Sequence, residues 1–177
     1  MRLPLRLLAA TAALGLVAAP AAAQPCIPQP QAESLFLALA PSLVGAVAAT
    51  CATRLPPRAL LRTRVGPLTA KFAGESERAW GQAKDALKQL AGADAAQLLD
   101  SDMARPMVLS LVAPLLAKEI KPSSCGDIDH ILALIDPLPA RNTASLIVTI
   151  VELARRGKAS RPGSMALTIC PPDEARP

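Results

Sequence analysis

The chain has 177 residues and a formal net charge of +5; 51% of its residues are hydrophobic, whereas 2% are aromatic. A positive excess this mild does not indicate a nucleic-acid-binding protein. Sites for sugars and for single-stranded bases stack their ligands on aromatic faces, so the near absence of Phe, Trp and Tyr argues against both classes.

The N-terminus has the three parts of a cleavable secretory signal peptide. Arg2 and Arg6 supply positive charge, residues 7–19 are apolar, and three alanines precede Gln24. The apolar part is shorter than the about 20 residues that a membrane anchor needs. We therefore predict that residues 1–23 are removed and that the mature protein is periplasmic or secreted. Loss of the two arginines lowers the net charge from +5 to +3, and export makes nucleic acid a poor partner.

The mature chain is long enough for one domain with its own core. The 177 residues less the 23 of the signal peptide leave 154. Residues 24–31 form a Pro/Gln-rich lead-in, 32–157 the predicted helical domain, and 158–177 a Pro/Gly-rich tail.

An even number of cysteines remains in the exported chain, which favours two disulfides. These residues are Cys26, Cys51, Cys125 and Cys170. A zinc site is disfavoured because no pair has C-x-x-C spacing and the chain contains one histidine.

The disulfide pairing depends on the first helix. If residues 32–53 form one helix, it is about 30 Å long. Cys26 and Cys51 then lie near opposite ends, beyond the roughly 7 Å that a disulfide spans between Cα atoms. This favours the nested pairing Cys26–Cys170 with Cys51–Cys125. A sharp break at Pro41 would instead permit Cys26–Cys51 with Cys125–Cys170, so both pairings stay open.

Residues 34–53 contain no charged side chain. A segment of this length could span a membrane. Its richness in Ala, Ser and Thr, together with Pro41, Gly45 and Cys51, favours a buried core helix over a span.

Residues 54–71 carry five basic side chains and no acidic one. They are Arg54, Arg58, Arg62, Arg64 and Lys71. A short basic amphipathic helix can lie on anionic lipid headgroups, so these residues are the candidate membrane-surface site. The alternative, and the more common case, is a solvated charged face. Gly66-Pro67 is predicted to end or kink this helix.

Further helices follow in chain order. Residues 75–91 have acidic residues at the start, an apolar stripe that makes Trp80 a core residue, and Gly92 as the stop. Asp94 can cap a short helix through Leu99. Residues 107–120 are apolar almost all round, which predicts deep burial and a kink at Pro114.

The last two predicted helices cover residues 127–135 and 143–156, the second capped by Asn142. Strand-like alternation, heptads and internal repeats are absent from the sequence. We therefore predict an all-α fold: a compact, irregular bundle of about five to seven short, proline-kinked helices stapled by two disulfides.

The candidate catalytic residue is His130. Asp127 lies three residues earlier, and an acid on the same helical face can orient an imidazole for general-base chemistry. However, the serines lack a nucleophile elbow, and oxidised cysteines offer no thiol. Asp127 is better explained as a helix cap or first-turn acid, and no catalytic residue is assigned. Without an H-E-x-x-H motif, a calcium loop or a glycine-rich phosphate loop, no metal or cofactor is predicted.

The favoured function is that of a non-catalytic binding or interaction protein. Residues 34–53, 107–117 and 144–151 offer more apolar helix surface than this chain can easily bury. The expected partner is an apolar ligand, a lipid or a partner helix. The alternatives are a peripheral membrane protein that uses residues 54–71 and a hydrolase-type enzyme centred on His130. The oligomeric state is not predicted.

Overall fold

The computed structural model describes residues 26–156 and 168–170, which form seven α-helices and a short 3-10 turn at Pro122–Ser124. The α-helices are α1 Gln29–Cys51, α2 Leu60–Thr63, α3 Val65–Ala91, α4 Ala93–Leu99, α5 Ala104–Lys118, α6 Cys125–Ile135 and α7 Ala140–Arg156. The predicted signal peptide, residues 1–23, and most of the predicted tail lie outside the described residues. The all-α prediction is confirmed, although α1 and α3 are longer than the short helices expected.

Helix α1 runs without interruption through Pro41. It begins three residues earlier than predicted, because Pro28 flanks its start and Pro30 suits the first turn, where no backbone donor is needed. Cys26 and Cys51 therefore lie near opposite ends of this helix. A break at Pro41, on which the alternative disulfide pairing depended, does not occur.

The two disulfides have the nested pairing. Cys26 bonds to Cys170 with their Cα atoms 4.9 Å apart, and Cys51 bonds to Cys125 with theirs 5.6 Å apart. The pairing favoured from the length of the first helix is thus confirmed. Both sulfurs of the second bond are buried at the junction of α1 with α6, whereas Cys26 is partly exposed.

Helices α1 and α3 form an antiparallel pair at the centre of the fold. The Ser34 hydroxyl donates to the Gln82 side chain near one end, and the Ser76 hydroxyl donates to the Ala38 carbonyl farther along. The predicted break at Gly66-Pro67 is wrong, since α3 begins at Val65 and proline is accepted in a first turn. The predicted helix 75–91 is therefore the later part of α3.

Helices α5 and α7 pack against opposite faces of α1. One row of α1, which includes Leu37 and Val44, packs with Ala140 and Ala144 of α7. The opposite row packs with α5; it consists of Leu35, Ala38 and Leu39. Because α1 is covered on several sides, it is the core helix of the bundle.

By length and composition, α1 could also cross a membrane, and it is the one helix within residues 26–156 that passes this criterion. Its most apolar 18-residue window has a mean hydropathy of 1.9, and half of that window is buried inside the protein. A core helix of a soluble protein has the same properties, and the contacts of α1 are those of a core helix.

The two ends of the described chain meet. The Ile27 N–H donates to the Thr168 carbonyl over 2.8 Å, and the Cys170 N–H donates to the Ile27 carbonyl over 2.9 Å. Ile27 and Ile169 pack with Ala32, Ala86 and Val148 in a small buried cluster. The Cys26–Cys170 disulfide thus fastens a contact that backbone hydrogen bonds and apolar packing also hold.

Two helix starts differ from the prediction. Helix α4 begins at Ala93 after Gly92, whose φ of 80° is left-handed, so Gly92 holds the N-cap position and Asp94 is the second residue of the helix. Helix α7 begins at Ala140, directly after Pro139. The Pro139 carbonyl accepts hydrogen bonds from both the backbone N–H and the side-chain hydroxyl of Thr143. Asn142 therefore lies in the first turn and is not the cap.

Candidate functional site

Large apolar side chains form a line on the outer surface of α5 and its first flanking residue. We call this line the α5 row; it consists of Met103, Met107, Leu111 and Leu115. These four residues are 65%, 51%, 57% and 56% exposed, in that order. Because these positions are four residues apart, the side chains lie one above the other as a ridge along the helix. The prediction that residues 107–120 are deeply buried is therefore wrong for this face.

The opposite face of α5 is the one that fills the core. Ala113 and Ala117 are buried there, and Val108 and Val112 pack toward α1. Alanines let the helix backbone approach α1 closely, while the valines fill the remaining space. The larger methionine and leucine side chains of the α5 row are left outside.

A polar anchor also supports this orientation of α5. Arg105 donates to the Glu77 carboxylate over 2.6 Å and to the Ser76 hydroxyl over 3.3 Å. Ser76 is 2% exposed and donates to the Ala38 carbonyl over 2.8 Å. This chain of hydrogen bonds joins α5, α3 and α1, and it supports the rotation of α5 in which its alanine and valine face packs into the core.

Opposite charges lie at the two ends of the α5 row. Asp102 precedes the row, and Lys118 follows it on the same helical face, seven residues after Leu111. Both are exposed, and neither has an ion pair or side-chain hydrogen bond within the described part of the chain. Asp100, in contrast, is occupied by Lys88 at 2.6 Å and Lys84 at 3.4 Å.

A second exposed apolar row lies on α7 and consists of Leu146, Ile150 and Leu153. Since α5 and α7 pack on opposite faces of α1, the two rows point away from each other. Of the three segments with excess apolar surface in the sequence, 34–53 has its large apolar side chains buried or half-buried, whereas 107–117 and 144–151 contribute exposed ones.

The predicted membrane-surface residues do not act as one free basic face. Arg62 donates to the Leu55 carbonyl over 3.1 Å, and Arg64 pairs with Asp136 at 2.9 Å. The Lys71 ammonium donates to the carbonyls of Ile135 and Asp136 over 3.0 and 3.1 Å, where α6 ends. Burial lowers the pKa of Lys71, and the charge of Asp136 partly opposes that shift.

Arg54 and Arg58 are the two predicted membrane-surface residues with no partner in the described ranges. Both are exposed, and they lie on the loop between α1 and α2. The membrane-surface interpretation stays a prediction, with these two arginines as its free charges.

His130 lies on the exposed side of α6. Asp127 is in the first turn of that helix, as predicted. The neighbouring Asp129 has a structural role, because its carboxylate accepts the backbone N–H groups of Leu60 and Leu61 over 3.3 and 2.7 Å. It therefore caps α2 from another helix. The hydrolase interpretation stays a prediction that rests on His130 alone.

Sequence reasoning did not identify Ser76, Arg105 or Asp129, which hold the helices in register. Their partners lie 28 to 69 residues away in sequence, so local patterns carry no signal for them. Among the described residues, no group of three or more His, Cys, Asp or Glu side chains could hold a metal ion. The chain matches no protein-family model, no curated protein and no solved structure.

Proposed function

We propose that this protein is an exported, non-catalytic binding protein that holds an apolar partner against the α5 row. The observation that carries the proposal is the exposure of four large apolar side chains in one line, on a helix whose other face already fills the core. Exposed apolar patches of several hundred Å² mark interaction surfaces in soluble proteins. A lipid, another apolar ligand or a partner helix would suit this ridge, since helices pack ridge into groove.

The chemistry of the α5 row also supports a binding role. Methionine is flexible and polarisable, so Met103 and Met107 can adapt to the shape of a partner. Leu111 and Leu115 provide firmer contacts in the second half of the row. Binding would remove all four side chains from water, which is the dominant driving force of protein association.

The export part of the proposal rests on two features. The nested disulfides favour an extracytoplasmic location, because such bonds persist in oxidising compartments. Residues 1–23 have the composition of a signal peptide. We propose a periplasmic or secreted mature protein with both disulfides formed.

Methionine oxidation tests whether the α5 row is used. Met103 and Met107 are exposed. In a dilute solution of the purified protein, a low concentration of hydrogen peroxide should therefore convert both to sulfoxides. In an extracytoplasmic extract of the producing cells, a bound partner should protect both residues. Peptide mass spectrometry reports the oxidised fraction. The proposal is contradicted if neither the extract nor the purified protein at high concentration lowers the oxidation below that of the dilute sample.

A matched control separates binding from general shielding by the extract. The Leu111→Glu variant, which places a charge in the middle of the row, should lose the protection of Met103 and Met107. The control variant is Leu153→Glu, which makes the same substitution on α7. Leu153 is 59% exposed and Leu111 is 57% exposed, so the two positions are closely matched. The control variant should retain the protection.

A second candidate function is attachment to an anionic membrane surface through residues 54–71. The observation in its favour is that Arg54 and Arg58 are exposed without a partner in the described part of the chain. The protein should then float with anionic but not neutral vesicles, and the double variant Arg54→Glu/Arg58→Glu should not. Equal flotation with both vesicle types would exclude this function.

A further inference from the structure

We infer that the partner of the α5 row is a second copy of this chain, which pairs its α5 antiparallel to the first across a twofold axis. This inference rests on the proposed function of the row. In a closed twofold dimer, the same surface serves both partners, so the surface must be complementary to itself. The α5 row meets that condition in its spacing, its charges and its area.

The spacing permits self-pairing. The midpoint of the row lies between Met107 and Leu111. When two such rows run antiparallel, Met103 of one copy faces Leu115 of the other, and Met107 faces Leu111. Each contact then joins a flexible methionine with a leucine of similar volume. Ridges of side chains four residues apart are also the ones that interdigitate in the commonest class of helix packing.

The charges favour the antiparallel orientation over the parallel one. Asp102 lies before the row and Lys118 lies after it. An antiparallel pair brings Asp102 of each copy toward Lys118 of the other, at both ends of the contact. A parallel pair would instead bring like charges together. Both side chains are exposed and have no partner in the described ranges, so they are available for this pairing.

The apolar area of the row suits the centre of an interface. At roughly 80 Å² of apolar surface each, its four large side chains present about 320 Å². A standard interface buries about 800 Å² per partner, with an apolar centre and a polar rim. The row would supply the centre, and Asp102 and Lys118 belong to the rim.

A membrane surface fits the row less well than a second copy does. Helices that lie on anionic membranes carry lysine and arginine beside their apolar face. Here Asp102 stands at one end, and Lys118 stands beside Glu119 at the other, so the charges would not orient the row on an anionic surface. The self-complementary order of the charges is the feature that selects a second copy.

Light scattering coupled to size-exclusion chromatography tests the inference on the full mature protein with both disulfides intact. Across micromolar to millimolar concentrations, the mass should rise from that of a monomer to that of a dimer. Leu111→Glu should keep the protein monomeric throughout, whereas Leu153→Glu on α7 should leave the dimer intact. Circular dichroism verifies that both variants keep the helical fold. A monomer at every concentration, or a dimer that only Leu153→Glu disrupts, would overturn the inference.

Charge reversal tests the orientation. Asp102→Lys or Lys118→Glu alone should raise the dimer dissociation constant about tenfold, because the twofold axis places each repulsive contact twice. The double variant Asp102→Lys/Lys118→Glu should restore the original dissociation constant, since the pairs reform with reversed signs. Loss of dimerisation in the double variant that equals or exceeds the loss in the single variants would overturn the antiparallel arrangement.

The methionine experiment distinguishes the failure of this inference from failure of the proposed function. If concentrated purified protein protects Met103 and Met107, the second copy is the partner. If the extract protects them and concentrated purified protein does not, the row binds a different molecule and the dimer is excluded. If neither protects them, both proposals fall.

Discussion

The hydroxyl of Ser76 on α3 donates a 2.8 Å hydrogen bond to the carbonyl oxygen of Ala38 on α1, and the same hydroxyl accepts a bond from Arg105 on α5. Ser76 is 2% exposed, so this junction of three helices is screened from water. Ala38 lies three residues before Pro41, which cannot donate to the α1 hydrogen-bond ladder. The serine therefore supports the central helix near its weakest point.

Replacing Ser76 with alanine should lower the free energy of unfolding by about 1–2 kcal/mol, because a buried carbonyl and Arg105 each lose a partner. Urea denaturation monitored by circular dichroism measures the change. Ser110→Ala is the matched control, since the Ser110 hydroxyl also bonds to a backbone carbonyl but is exposed. The control should stay within about 0.5 kcal/mol of the wild type. Equal losses in the two variants would contradict the supporting role of Ser76.

The two disulfides should differ in their sensitivity to thiols. Cys51 and Cys125 are 0% and 1% exposed, whereas Cys26 is partly exposed. Thiol exchange requires access to a sulfur, so a reductant under native conditions should open Cys26–Cys170 first. Alkylation at successive times, followed by peptide mass spectrometry, identifies the free cysteines. Simultaneous reduction of both bonds would show that the helical core opens before the outer bond is attacked.

Asp129 should stabilise the attachment of α2 to α6. Its carboxylate accepts two backbone N–H groups at the start of α2, so Asp129→Ala should lower the free energy of unfolding by about 1–2 kcal/mol. Asp127→Ala is the control, because that exposed residue lies in the first turn of α6 and should contribute less than about 1 kcal/mol. Chemical denaturation compares the two. A larger loss in the control would contradict the capping role.

Glu75 should make stability depend on pH in the acidic range. Its hydrogen bond from Arg78 lowers the pKa of the carboxyl, and the charge of Arg141 acts in the same direction, while partial burial opposes them. Since the pKa is lower in the folded state, the stabilisation is complete above the pKa of the unfolded chain. It is lost as the pH falls through the folded value.

Thermal unfolding of the wild type and Glu75→Gln measures this contribution. The difference in melting temperature should be largest near neutral pH and shrink as the pH falls below the ordinary pKa of glutamate. A difference that does not vary with pH would mean that Glu75 acts through packing and not through its charge.

The sequence favours the correct disulfide pairing because that pairing depends on a length. If the segment between Cys26 and Cys51 is one continuous helix, its ends are farther apart than a disulfide can span; the continuity through Pro41 is what the structure adds. The all-α class can also be predicted from the sequence, since helices are indicated by patterns within short stretches of residues. The break predicted at Gly66-Pro67 is wrong because proline breaks the interior of a helix but suits its first turn, and the sequence does not show where α3 begins.

The orientation of α5 could not be derived in this way. Residues 106–117 contain no charge, so periodicity identifies no outer face. The orientation follows from packing against α1 and from the contacts of Arg105, whose partners Glu77 and Ser76 are 28 and 29 residues away in sequence. The partners of Arg64 and Lys71 could not be predicted either, because Asp136 and the Ile135 carbonyl lie at the end of α6, far away in sequence. From sequence alone, the two residues belong to an unpaired basic segment.

The bond between Cys26 and Cys170 also has a mechanical consequence. It bridges a sequence separation of 144 residues and lies outside every helix of the described chain. If the chain is pulled at a point before Cys26 and at a point after Cys170, the force passes through the disulfide and does not reach the helices between them. The bundle is therefore shielded from stretching forces at its ends for as long as the bridge is oxidised, and a reductant would convert a force-resistant ring into an extensible chain.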